Sequence, residues 1–80
     1  MVHSGFTHRQ GQYLAFIHLY TKLNRRPPAE ADIQRYFGVS PPTVHQMILA
    51  LESAGQLARV PGQARSLRVL TPTDLIPPLE

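Results

Sequence analysis

Three observations predict a mainly α fold, three helices followed by a small β-hairpin. A capping pattern opens an apolar run at residue 7, a turn, cap, helix and glycine stop occupy residues 38–55, and two short apolar runs flank a Pro-Gly turn after residue 56. The chain has 80 residues, enough for one small domain. A domain of that size buries about 60% of its unfolded surface, which leaves little room for a catalytic cleft.

Thr7 and Gln10 stand at the N-cap and N3 positions of a capping box, so the first helix should begin at His8 and run to about residue 23. Tyr13, Leu14, Phe16, Ile17, Tyr20 and Leu23 cover one broad face of it, more apolar surface than a lone helix leaves in water, and should build the core. Residues 1–5 ahead of it read as a flexible arm. Asn24-Arg25-Arg26-Pro27-Pro28 ends the helix, because a residue before proline is pushed toward extended geometry. A second helix follows over about 29–37, with Ile33 and Phe37 one turn apart on its buried side.

The third helix carries the most information. Gly38-Val39 is a tight turn, Ser40 suits the N-cap, Pro41 tolerates the first helical position, and Gly55 suits the residue past the end. Val44, Ile48, Leu51 and, a turn later, Gly55 recur at helical spacing and should face the core. Thr43, His45 and Gln46 then point outward. Short uncharged donors and acceptors at the start of a helix after a tight turn are what a major-groove reader needs, because they reach base edges without a charge cost. The same residues also fit a solvated helix surface, so helix three alone leaves both readings open.

The two runs around Pro61-Gly62-Gln63-Ala64 predict a hairpin. In the second run Leu67 and Val69 share one face and Ser66 and Arg68 the other, whereas the first run alternates poorly, with Leu57 and Arg59 on the same side. The domain therefore spans residues 6–70. Residues 71–80 hold three prolines and no period, and are expected to be extended or disordered, with Leu75, Ile76 and Leu79 free to dock.

Charge points toward a polyanion. Residues 1–70 hold eight basic side chains against three acidic ones, a net +5, while Asp74 and Glu80 make the tail −2. Such a body suits phosphate, since each Lys or Arg that neutralises one releases counterions, although a solvated basic surface has the same composition. Arg25-Arg26 ahead of Pro27 fits either a phosphate clamp or a solvated loop. There is no cysteine, so no disulfide framework and no thiolate metal site. His3, His8, His18 and His45 offer no i,i+4 pair on one helix face, and no metal or cofactor is expected. No serine or carboxylate pair is placed for catalysis, so the chain is not read as an enzyme. Neither a membrane span nor an apolar leader is legible, and a cytoplasmic protein, nucleoid-associated when bound, is the default.

Three helices, a tight turn between the second and third, and a hairpin make a winged helix-turn-helix. Phe6-Thr7-His8-Arg9-Gln10, Pro27-Pro28 with Ala31-Asp32-Ile33, Gly38, Ser40-Pro41, Leu51 with Ala54-Gly55, and Arg65-Ser66-Leu67-Arg68-Val69-Leu70 resemble the N-terminal DNA-binding domain of LexA-type repressors over about residues 6–70. The resemblance implies sequence-specific binding of double-stranded DNA by a transcriptional regulator, in the sense of a repressor. It places Ser40, Pro42, Thr43, His45 and Gln46 at bases and adjacent backbone, and Arg65 on the wing. Ala29 stands where a threonine is usual, and Glu30 where a basic residue would meet phosphate. His45-Gln46 replaces acidic side chains, so a different operator is expected.

LexA-type repressors also carry a self-cleaving, dimer-forming domain with a serine-lysine pair and an Ala-Gly scissile bond. Here the one lysine is Lys22 and the one Ala-Gly is Ala54-Gly55 inside the helix stop, so self-cleavage is not expected of these residues. A second copy on DNA, or a partner repressor, would then supply the pairing. The alternative function is a winged-helix protein-interaction module, favoured by the modest charge and the apolar tail, or an antagonist of a related repressor.

Overall fold

The computed structural model describes residues 5–80, and most of the expected arm at 1–5 lies outside them. Helix α1, His8–Asn24, starts where its capping chemistry sets it. Thr7 Oγ1 accepts from the Gln10 N–H (3.1 Å) while Gln10 Oε1 accepts from the Thr7 N–H (2.9 Å), so two donors that the first turn leaves orphaned are satisfied reciprocally. The helix closes at Arg25, whose backbone takes the left-handed conformation (φ 60°) with its N–H on Thr21 O. A left-handed stop at a non-glycine residue is uncommon, and here it lets the chain turn directly into Pro27-Pro28.

Helix α2, Glu30–Phe37, has no side-chain cap at Ala29. Asp32 supplies half of a capping box instead: its Oδ2 accepts from the Ala29 N–H at 2.8 Å. Gly38 ends α2 in left-handed geometry (φ 66°), and helix α3, Pro41–Ser53, begins three residues later with Ser40 accepting from the Thr43 N–H. At its far end the Gln56 N–H reaches Leu51 O and the Gly55 N–H reaches Glu52 O, the paired bonds of a Schellman stop.

Strands β1, Leu57–Ala58, and β2, Arg68–Val69, pair antiparallel with Leu57 opposite Val69 and Ala58 opposite Arg68. They are much shorter than the two apolar runs suggested. Residues 59–67 form a wing loop shaped by its own bonds. The Gln63 N–H closes on Val60 O across Pro61-Gly62, with Gly62 at φ 79°, the geometry that a type II turn requires of its third residue. The Ser66 hydroxyl then ties Val60 to Gln63.

Tyr13, Leu14, Phe16 and Ile17 of α1 pack with Ile33 of α2, Val44, Ile48 and Leu51 of α3, and Leu57 and Leu67 of the hairpin. Tyr13 stacks on Phe37 (centroids 4.3 Å apart, planes 2° apart) and Phe16 on Tyr36 (4.6 Å), so these aromatics serve the core. The guanidinium of Arg9 lies over Tyr13 and Phe37 at 5.7 and 5.5 Å. Two residues expected in the core are outside it. Leu23 is 72% exposed, because the covered stretch of α1 ends near Tyr20 and the last turn runs past its neighbours. Gly55 is exposed, with open space around its Cα, because it belongs to the stop and not to the helix.

Residues 71–80 are extended apart from one 3₁₀ turn, Thr73–Leu75, and they lie along α1. Gln12 clasps them, donating to Pro78 O (2.9 Å) and accepting from the Glu80 N–H (2.8 Å), and Tyr36 donates to Glu80 O (3.0 Å). Leu79 packs against the core cluster, the buried Thr71 hydroxyl donates to Gln56, and Leu75 is exposed.

Candidate nucleic-acid interface

The start of α3 presents its two faces as the spacing demands. Val44, Ile48 and Leu51 are fully buried, and Pro42, Thr43, His45 and Gln46 are exposed. Helix α2 packs on α3 across the turn at Gly38-Val39, so the inward face is fixed to the core and the outward face stays clear. The Ser40 and Thr43 hydroxyls bond each other at 2.9 Å, which holds both in place at the helix N-terminus. The Gln46 side chain makes no hydrogen bond among the described residues, so both ends of its amide are free for a ligand. His45, half exposed, has Nδ1 3.6 Å from Glu30 Oε1 of α2. Glu30 therefore lies beside the outward face of α3.

Arg25 and Arg26 are exposed, and their side chains have no partner among the described residues. They precede Pro27 and so stand at the entry to α2. Arg65, which the resemblance places on the wing, has its partners on the body. Its Nη1 lies 3.2 Å from Asp32 Oδ2, 3.3 Å from Tyr20 Oη and 3.3 Å from Pro27 O. The guanidinium of this wing residue is turned back onto the body. Arg65 itself adopts left-handed backbone (φ 54°).

The electrostatics agree with that placement. The Ala29 backbone N–H, opposed by partial burial and helped by the Arg65 and Arg35 cations, holds the Asp32 carboxyl below the usual carboxylate range. The Tyr20 hydroxyl, ahead of the Asp32 charge, raises Arg65 above its ordinary value. Sequence reasoning placed Glu30 beside the phosphate contact but missed Tyr20 and Asp32 as members of this region. Two acids in the first turn of α2 are readable as helix-end chemistry, but their partners are remote in the chain and nothing local announces them. Among the described residues no group of His, Asp and Glu is arranged to hold a metal ion, and no helix is long and apolar enough to cross a membrane.

The description "LexA DNA binding domain" matches residues 3–66, most of the chain. The chain belongs to the LexA DNA-binding domain family. A LexA repressor of Thermosipho africanus is 36% identical over 64 residues, covering 80% of this chain and 32% of the relative. A protein named LexA repressor 2 in Xanthomonas campestris pv. campestris is 41% identical over 66 residues, covering 81% of this chain and 31% of the relative. This LexA-type domain thus spans about a third of the length of the curated relatives it matches.

Proposed function

We propose that this LexA-type domain binds double-stranded DNA in a sequence-specific way as a transcriptional regulator, in the repressor sense of its relatives' names, and does no chemistry of its own. The outward face of α3 carries the reading: exposed, uncharged, short polar groups held rigidly at a capped helix start by a buried opposite face. Gln46 pairs with adenine, whose N6 and N7 match an amide, and His45 reads a neighbouring base edge from its place beside Glu30. Ser40, Pro42 and Thr43 meet the adjacent backbone, and Arg25 and Arg26 neutralise phosphates. Arg65 belongs to the site through the wing that it holds. A single winged helix covers one half-site, so a second copy, or a partner repressor, binds a half-site about one helical turn (~10 base pairs) away. The work is done in the cytoplasm, at the nucleoid.

The protein-interaction alternative drew on an apolar tail, and that tail packs against α1 here, with Leu79 on the core. Selection of sites from a random duplex library tests the proposal. Enrichment of a defined half-site is expected, with a changed preference for the Gln46→Ala and His45→Ala proteins. No enrichment, or identical sites for all three proteins, would overturn it.

A further inference from the structure

The hairpin that ends in the wing has a ladder only two residues long on each side. Such a ladder fixes the register of Leu57 with Val69 and Ala58 with Arg68, but it does not by itself set the direction of residues 60–66. The bonds of the Ser66 hydroxyl and the Val60–Gln63 turn shape the loop internally and do not tie it to the body. Leu67, at its descending end, is buried in the core, and two polar side chains tie down the rest. On the ascending side Arg59 meets Glu52 of α3 at 3.3 Å. On the descending side Arg65 meets Tyr20 of α1, Pro27 of the α1–α2 junction and Asp32 of α2.

From this geometry we infer that Arg65 and Asp32 form a latch that sets the angle of the wing relative to α3, with Arg65 a positioning residue and not a phosphate contact. The inference rests on the DNA-binding reading of the site. Left-handed backbone at a non-glycine residue persists where the surroundings over-determine it, and the three acceptors around Nη1 do so at Arg65. Asp32 is anchored independently by the Ala29 N–H and by Arg35 at 3.4 Å, so the acceptor end of the latch is held without the wing's help. The turn that carries Asp32 also carries Glu30, which lies against His45. One turn of α2 therefore references both DNA-facing elements, and release of the wing would change the spacing between them.

The test measures binding of the purified chain and its Arg65→Ala and Arg65→Lys proteins to a selected and a scrambled duplex across a salt series. Arg65→Ala is expected to bind the selected duplex roughly tenfold more weakly, the scale of losing a charge-assisted bond. It should do so with an unchanged slope of log K against log salt and a smaller preference over the scrambled duplex. Arg65→Lys keeps the ion pair to Asp32 but not the fork of donors, and should fall between. A slope reduced by about 0.9 would put the guanidinium on a phosphate and overturn the latch. A second measurement needs no DNA. Amide ¹⁵N relaxation in Arg65→Ala should show order parameters for residues 60–66 falling toward ~0.6 while residues 41–53 stay near ~0.85. A wing as rigid as in the parent overturns the latch, whereas a loosened wing in a chain that binds no duplex sinks the DNA reading and leaves the latch standing. Tyr20→Phe removes one acceptor and should shift both readouts in the same direction by less, so the test survives if Arg65→Ala does not fold.

Discussion

The outward face of α3 and the root of the wing both abut the first turn of α2, yet one is open and the other closed. On α3, the Gln46 side chain has no partner and His45 has a distant carboxylate among the described residues. At the wing root, the Arg65 guanidinium has three internal acceptors, and its side chain is only 33% exposed, against 49% for His45. Groups meant for a ligand must keep their hydrogen-bonding capacity, while groups that hold an element in place must use theirs. A charged residue on a wing is therefore weak evidence for a phosphate contact until its donors have been traced.

The largest effect expected from this contrast lies beneath the reading face. Ile48→Ala should cost about 2–5 kcal/mol in urea unfolding, because it empties a fully buried position shared by all three helices and the hairpin. Gln46→Ala, two residues earlier, should change stability by less than about 0.5 kcal/mol. Comparable losses for both would erase the distinction between the two faces. The same Gln46→Ala protein should lose about 1–3 kcal/mol of discrimination at one or two base pairs in competition binding, and uniform weakening across all sequences would remove Gln46 from the readers.

At the closed region, Asp32→Asn should destabilise the domain by on the order of 1 kcal/mol at neutral pH. The sign with pH follows from the direction of the shift. The folded carboxyl titrates below its ordinary value of 3.8, so its contribution is complete above that value and is lost as pH falls through the folded one. Urea melts across acid pH should show the gap between parent and Asp32→Asn constant down to about pH 5 and shrinking below. A gap that widens in acid would mean that the carboxyl is not held in its charged form.

The smallest effects belong to the loop cations. Arg25→Ala and Arg26→Ala should each lower the salt slope by about 0.9 and weaken selected and scrambled duplexes alike. Unchanged slopes would make the pair a solvated loop. Set beside Arg65→Ala, these two proteins sharpen the contrast, because a free cation should move the slope and a latched one should not.

Much of the fold was legible because it is written in local chemistry. The Thr7–Gln10 capping box, the Ser40 cap with Pro41 behind it, the glycine stops at 38 and 55, and the spacing of Val44, Ile48 and Leu51 act within a few residues of one another, so the sequence determined the three helices and the face that α3 turns outward. Helix ends were less legible where packing decides: Leu23 continues the apolar period but none of the described elements covers it, and the hairpin runs pair over two residues because the wing loop closes on itself. Only the tertiary structure decided where the charges go. Asp32 and Arg65 meet because α2 and the wing are packed side by side, Glu30 meets His45 because α2 lies on α3, and the tail lies on α1 because Gln12 offers both a donor and an acceptor to its backbone. Such pairings join residues far apart in the chain, and a guanidinium reads the same in sequence whether its partner is a phosphate or a carboxylate, so the choice is made by geometry.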